Sequence, residues 1–430
     1  MERSAQSGGA AAEWRAHWPV VLAAMAGFSF YSVGSYTTGL FMEPLAKEFG
    51  WGRAQISAGL LVTSIMTIPM APVVGALIDR WGSRRLAIPG MALAIAAVAS
   101  FALANGDATQ WLLLWTFYGL ASLMIKATVW TAATSNVFTA GRGLALGLVL
   151  CGSALTQTIA PVLAERLIDA FGWRQAYVWI ALAWGGPVLL LILLFMFEPR
   201  DRQKTASATV RARAAAASAL DGLGFREAFR DVALIRVAIS TLLFMFLTVG
   251  VLIHQVPILT EAGVSRSQAA LLASLGGIAG IVGKLVTGWA SDRADGGTVG
   301  AITLGSTAVA FTLLLEPIRS PLTIVLAMII IGYGSGTKLQ ITAYLTSRYG
   351  GLRNFGKIFG VMSSLIAVGG GLGPIAAGAV YDRFGSYSPL LLVGIPGSLL
   401  CGLLIFRLGA YPDWADAAPS EAATASPARA

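Results

Sequence analysis

Three lysines stand in stretches that are otherwise small and apolar: Lys126 in YGLASLMIKATVWTAATSN, Lys284 in GGIAGIVGKLVTGWASDR and Lys338 in YGSGTKLQITAYLTSR. An ammonium at the centre of a membrane helix costs about 2.5–3.5 kcal/mol on insertion scales, so each needs a reason to be there. No Asp or Glu is expected at the same depth, because Glu43, Glu165 and Glu261 fall toward the ends of their apolar runs. Cations without resident counter-ions either shed protons or wait for an anion to arrive. The chemistry these residues point to is therefore capture of an organic anion.

Other polar groups recur around them. Tyr118, Ser122 and Lys126 are four residues apart, which predicts one polar ridge on a helix. Gly277, Gly280 and Gly288 leave a narrow face beside Lys284, fit for a ligand or for a neighbouring helix. Tyr31, Tyr36, Gln157, Gln340 and Tyr344 offer hydrogen bonds to a carboxylate, and His254, near the end of its run, is a candidate proton relay or gate. The sequence holds no HExxH, CxxC or GxSxG, and no paired carboxylates near mid-span. It thus offers no catalytic residues, no metal site and no cofactor, and an enzyme is not expected. Cys151 and Cys401 lie within apolar runs, where a thiol serves as a small hydrophobe.

The elements that must position these groups are membrane helices. The chain is 56% hydrophobic and only 12% charged, with a mean hydropathy of +0.73, far from the balance of soluble domains. Apolar runs of about 20 residues recur about twelve times, each long enough to cross a hydrocarbon core of roughly 30 Å as a helix. The alternation of a membrane barrel is absent, so an all-α protein of twelve transmembrane helices is expected. The first run is longer than a signal-peptide core and carries Tyr31, Ser32, Ser35 and Tyr36, so it reads as a retained helix.

Net charge is +9, but its distribution argues for orientation rather than for nucleic acid. With both termini cytoplasmic, twenty of the thirty Lys and Arg residues fall on the cytoplasmic side and seven on the other, leaving the three lysines above. The expected organisation is a cytoplasmic segment at 1–17, a six-helix bundle at 18–198, a basic cytoplasmic linker at 199–231, a second six-helix bundle at 232–408 and a disordered cytoplasmic tail at 409–430. A monomer is expected, in the cytoplasmic membrane and in contact with its lipid.

The two bundles are repeats. A shift of 213 positions places Pro44, Glu48, Gly50, Arg53 and Gln55 on Pro257, Glu261, Gly263, Arg266 and Gln268. It also places Gly75, Asp79 and Arg80 on Gly288, Asp292 and Arg293, Gly143 and Gly147 on Gly356 and Gly360, and Pro161, Phe171 and Gly172 on Pro374, Phe384 and Gly385. At an offset of 212, Lys126, Thr134 and Ser135 fall on Lys338, Thr346 and Ser347.

Parallel six-helix repeats around a midplane site are the plan of the major facilitator superfamily. GALIDRWGSRR, Gly75 to Arg85, resembles its signature loop, and GWASDR, Gly288 to Arg293, is a weaker counterpart. The resemblance implies a conformational clamp built from Gly75, Asp79, Arg80, Gly82, Arg84, Arg85, Gly288, Asp292 and Arg293, with Gly75 permitting close helix approach. FMEPLAKEFGWGRAQIS, HQVPILTEAGVSRSQAALL and GKLVTGWASDR further resemble bacterial monocarboxylate transporter-like proteins and oxalate/formate antiporters. In those relatives a cation of the eighth helix, generally arginine, meets the substrate carboxylate, and Lys284 stands at the matching position. The resemblance implies a secondary transporter of a small organic acid, with a proton as the expected partner; an organic-anion exchanger is the alternative and multidrug efflux a more distant one. Three lysines also leave di-acids, keto-acids and aromatic acids open.

Overall fold

The computed structural model describes residues 2–138, 141–196, 222–291, 293–351 and 353–412. Nearly all of them are helical, as lipid demands of a spanning chain that must satisfy its own backbone. Eleven stretches are long and apolar enough to cross a membrane. One of these, Arg142–Phe195, counts twice. At Gly172 the backbone turns to φ 79° and ψ 162°, a conformation that glycine adopts without the penalty of a Cβ, and the helix breaks there into two spans.

The twelve spans are then Ala11–Phe49, Arg53–Ile78, Ser83–Leu103, Ala108–Val137, the two within Arg142–Phe195, Val232–Ile253, Arg266–Ser291, Gly296–Leu313, Pro321–Gly350, Phe355–Phe384 and Ser388–Ile405. The helix of the first span starts at Glu2 and runs unbroken to Phe49, so the expected N-terminal segment is helical and continuous with that span. Only the end of the expected linker is described; it forms the short helix Phe225–Ala228 before Asp231 caps the seventh span through the Leu234 amide at 2.8 Å. Residues 197–221 and 413–430 of the linker and tail lie outside the described residues.

Lipid tails are as apolar as leucine, so helices associate through close packing of small residues. Span eight meets span ten backbone to backbone, Gly276 on Gly332 and Gly280 on Gly336. Gly277 faces Thr158 and Gln157 of span five. The face beside Lys284 is thus occupied largely by neighbouring helices. Between the halves, span two packs on span eleven and span five on span eight.

These two seams converge at one end only. At the end marked by Gly52 and Gly385, Gly52 and Gly378 touch the opposite half at Asp382 and at Arg53 and Ala54. Toward the other end, a side chain added at Gly75, Gly143, Gly147, Gly356 or Gly360 would meet nothing within 4 Å. The cleft between the halves therefore widens toward Gly82 and Gly351. Gly75, expected to permit a close approach, makes none in this conformation.

Candidate functional site

The three lysines share a depth. Lys126 lies about eighteen residues into span four, Lys284 about eighteen into span eight and Lys338 about seventeen into span ten, counting from Ala108, Arg266 and Pro321. At about 1.5 Å of rise per residue, all three sit somewhat past the middle of their spans, toward the splayed end. Each is partly buried. Among the described residues the carboxylates sit at or near span ends, and none lies at the lysines' level.

Spans eight and ten bring two of the lysines together. The glycine contacts set the register, four residues along span eight matching four along span ten, and Gly288 lies beside Gln340 Nε2. Lys284 is thus level with Gln340 and about half a turn from Lys338, on helices whose backbones touch. Lys284 Nζ reaches across the cleft to the Leu150 carbonyl at 3.4 Å, where the helix Arg142–Leu150 ends and Gly152–Trp179 begins. That carbonyl belongs to the partial negative end of a helix, a reasonable resting place for an ammonium.

Lys126 lies in the other half and in an unexpected setting. Span four is not one helix: Ala108–Leu123 stops, and Lys126 becomes the N-cap of Ala127–Val137 with φ −67° and ψ 164°. The sequence expectation of an unbroken ridge is corrected here. Tyr118 and Ser122 are buried within their own bundle, the tyrosine hydroxyl donating to the Tyr31 carbonyl at 3.2 Å and the serine to the Gly119 carbonyl at 2.8 Å. Trp130 explains the interruption. Its ring packs over Gly27, and its indole N–H draws the Ile125 carbonyl out at 2.6 Å. The first turn of Ala127–Val137 consequently presents amides without intrahelical partners beside Lys126.

The remaining expected residues divide. Gln157 is buried beside Gly276, and its Nε2 has no hydrogen-bond partner among the described residues. Tyr31 stacks on Phe28 at 5.7 Å. Tyr344 is drawn away from the lysines, because its hydroxyl donates to the Ser291 carbonyl at 3.1 Å and caps the end of span eight. The clamp residues engage their own halves: Arg84 donates to the Leu193 carbonyl at 3.2 Å, and Arg293 lies over the Trp289 ring at 4.6 Å. Gly82 makes the tight turn with φ 81°, and Arg80 and Arg85 are exposed. Asp292 and the side chain of Asp79 lie outside the described residues.

His254 holds the narrow end together. It is fully buried, between the helices Val232–Ile253 and Gln255–Glu261. Its Nε2 is 2.9 Å from the Pro374 carbonyl and 3.1 Å from Ser57 Oγ, and its Nδ1 is 2.6 Å from the Tyr387 hydroxyl. A carbonyl only accepts, so Nε2 carries the hydrogen, and Tyr387 donates to Nδ1 while accepting from Arg53 at 2.7 Å. Arg53 also stacks on Tyr381 at 3.4 Å.

Two further ties flank this network. The Asp382 carboxylate accepts the amides of Arg53 and Ala54 at 2.8 and 2.9 Å. Glu165 and Arg266 form a half-buried ion pair at 2.8 Å, and Arg266 also donates to the Leu40 carbonyl at 2.7 Å. Sequence reasoning did not single out Asp382, Ser57 or Tyr387. One signal was available: Arg53 and Arg266 are register mates, and Asp382 has its own mate in Asp169. Beyond these ties, a cavity of about 300 Å³ opens outward, lined by Glu43, Arg53, Glu261, Arg266 and Tyr381 among others.

Two bundles with small-residue seams, a cleft between them open at one end and three partly buried lysines at a shared depth define the architecture. The sequence profile of the Major Facilitator Superfamily matches residues 22–315 and 246–429. The chain belongs to that superfamily: it is a multi-pass membrane transporter, monocarboxylate transporter-like, and not an enzyme. It is similar to Monocarboxylate transporter 13 of Rattus norvegicus, 26% identical over 87% of this chain and 85% of that one. MFS transporter asaE of Aspergillus flavus is 25% identical over 79% and 74% of the two chains. Among solved structures, a D-xylose-proton symporter superposes with a TM-score of 0.69 at 13% identity, covering 92% of this chain and 98% of that one. The human organic anion transporter MFSD10 does so at 0.61 and 18%, covering 90% and 99%.

Proposed function

We propose that this chain moves a small organic anion, a carboxylate, across the cytoplasmic membrane by alternating access, with a proton as the coupled ion. The observation that carries the reading is the set of three ammonium groups at one depth of their spans with no carboxylate at that level among the described residues. The similarity to monocarboxylate transporters supports the same substrate chemistry. Lys284, Lys338 and Gln340 form the receptor on the C-terminal half; Lys126 and the first turn of Ala127–Val137 face them from the N-terminal half. With both termini cytoplasmic, as the charge distribution favours, the conformation described is open to the cytoplasm and tied on the opposite face. Lysine, unlike arginine, can lose its proton in such a site, so Lys284 can release one as the anion leaves.

The test is uptake of radiolabelled carboxylates into proteoliposomes. Lys284→Ala is expected to lower uptake to near background with the protein correctly inserted, and Lys284→Arg to retain part of it. Undiminished uptake by Lys284→Ala would remove this residue from the site. An imposed pH gradient, acid on the side of entry, is expected to accelerate uptake, whereas stimulation only by internal carboxylate would make the carrier an exchanger.

A further inference from the structure

We infer that the substrate carries an anionic group at each end: an α,ω-dicarboxylate whose carboxylates are separated by a chain or ring long enough to bridge the two halves. This rests on the organic-anion reading above and narrows it. The cations are not clustered as one pocket for one carboxylate. Lys284 and Lys338 project from adjacent helices of the C-terminal half, about half a turn apart in depth. Lys126 projects from the N-terminal half at the same depth, and no side-chain or backbone partner holds its ammonium among the described residues.

A carrier closes around its substrate only if the substrate binds the closed form better than the open one. A monocarboxylate engaging Lys284 and Lys338 would leave Lys126 desolvated and unmatched as the cleft narrowed, which opposes closure. A second carboxylate at the far end of the molecule removes that opposition and links the halves through the ligand. Charge arithmetic agrees: two carboxylates leave one excess positive charge among three ammonium groups, a charge that loss of a single proton can cancel. The hydrogen bond that Lys284 makes across the cleft, to the Leu150 carbonyl, is long at 3.4 Å and is easily exchanged for a carboxylate oxygen.

The experiment compares straight-chain monocarboxylates with α,ω-dicarboxylates of the same carbon number, from three to eight carbons, and benzoate with terephthalate. Binding to the purified full-length protein is read by thermal stabilisation and by competition for uptake. Wild type is expected to prefer the best dicarboxylate over its monocarboxylate by about tenfold or more in half-saturating concentration. Lys126→Gln is expected to erase that preference while keeping monocarboxylate binding, and Lys284→Gln to weaken both series. Equal affinity for the two series, or a dicarboxylate preference that survives Lys126→Gln, would overturn the inference and leave the organic-anion reading standing. If no carboxylate of either series stabilises the protein or competes, the organic-anion reading itself fails.

Discussion

At the scale of single residues, several polar side chains that the spacing picked out are engaged inside the protein, and the proposed receptor draws on those that are unpaired or, like Lys284, held by one long bond to a carbonyl. Tyr118, Ser122 and Tyr344 each donate to a backbone carbonyl, whereas Lys126, Lys338 and Gln157 Nε2 do not find a protein acceptor among the described residues. His254 belongs to the first group. Its two nitrogens are used in a fixed sense, and burial pushes the Tyr387 hydroxyl well above the ordinary phenol range despite the nearby Arg53, keeping it a neutral donor. Tyr387→Phe would leave Nδ1 of a buried imidazole unpaired, a loss of about 1–3 kcal/mol. A lower thermal midpoint in detergent is expected, together with a weaker hold between the halves; a midpoint equal to wild type would show that the network contributes nothing.

At the scale of elements, the contact between spans eight and ten fixes the distance from Lys284 to Lys338. Gly336 lies against the Gly280 backbone, so Gly336→Leu must force the two helices apart. Uptake is expected to collapse and the thermal midpoint to fall, while Gly370→Ala, which faces open space, is expected to leave both unchanged. How much of this was legible beforehand differs by element. The duplication, the twelve spans and the shared depth of Lys126 and Lys338 follow from hydrophobic run length and register alone. The interruption of span four did not. SLMIKATVW contains neither glycine nor proline, and every residue in it tolerates a helix; the break is imposed by Trp130, seated on Gly27 more than a hundred positions earlier and bonded to Ile125. Likewise, the His254 network joins residues 120 to 197 positions apart, and no local pattern records such pairings.

At the scale of the whole molecule, the two halves are tied at one end by register-related arginines and splayed at the other along register-related glycines. The Arg53 backbone amide meets the Asp382 carboxylate while its guanidinium meets Tyr387, and the Arg266 guanidinium meets Glu165; Gly143 and Gly147 of span five, like Gly356 and Gly360 of span eleven, face open space. In the proposed alternating access, rocking exchanges these conditions, and the glycines then become the surfaces on which the closing spans land. Gly147→Leu or Gly360→Leu is therefore expected to leave thermal stability as in wild type but to stop uptake by preventing closure, with spin labels at Lys47 and Arg383 reporting one short distance instead of two populations. Asp382→Asn should move the same labels apart in a larger fraction of molecules. The lopsided cleft also makes pharmacology directional. A rigid, bulky polyanion presented on the Gly82 face can lodge between the lysines and wedge the cleft ajar, whereas from the opposite face it meets a sealed floor beneath a shallow vestibule, so a blocker of this carrier would act from one side of the bilayer alone.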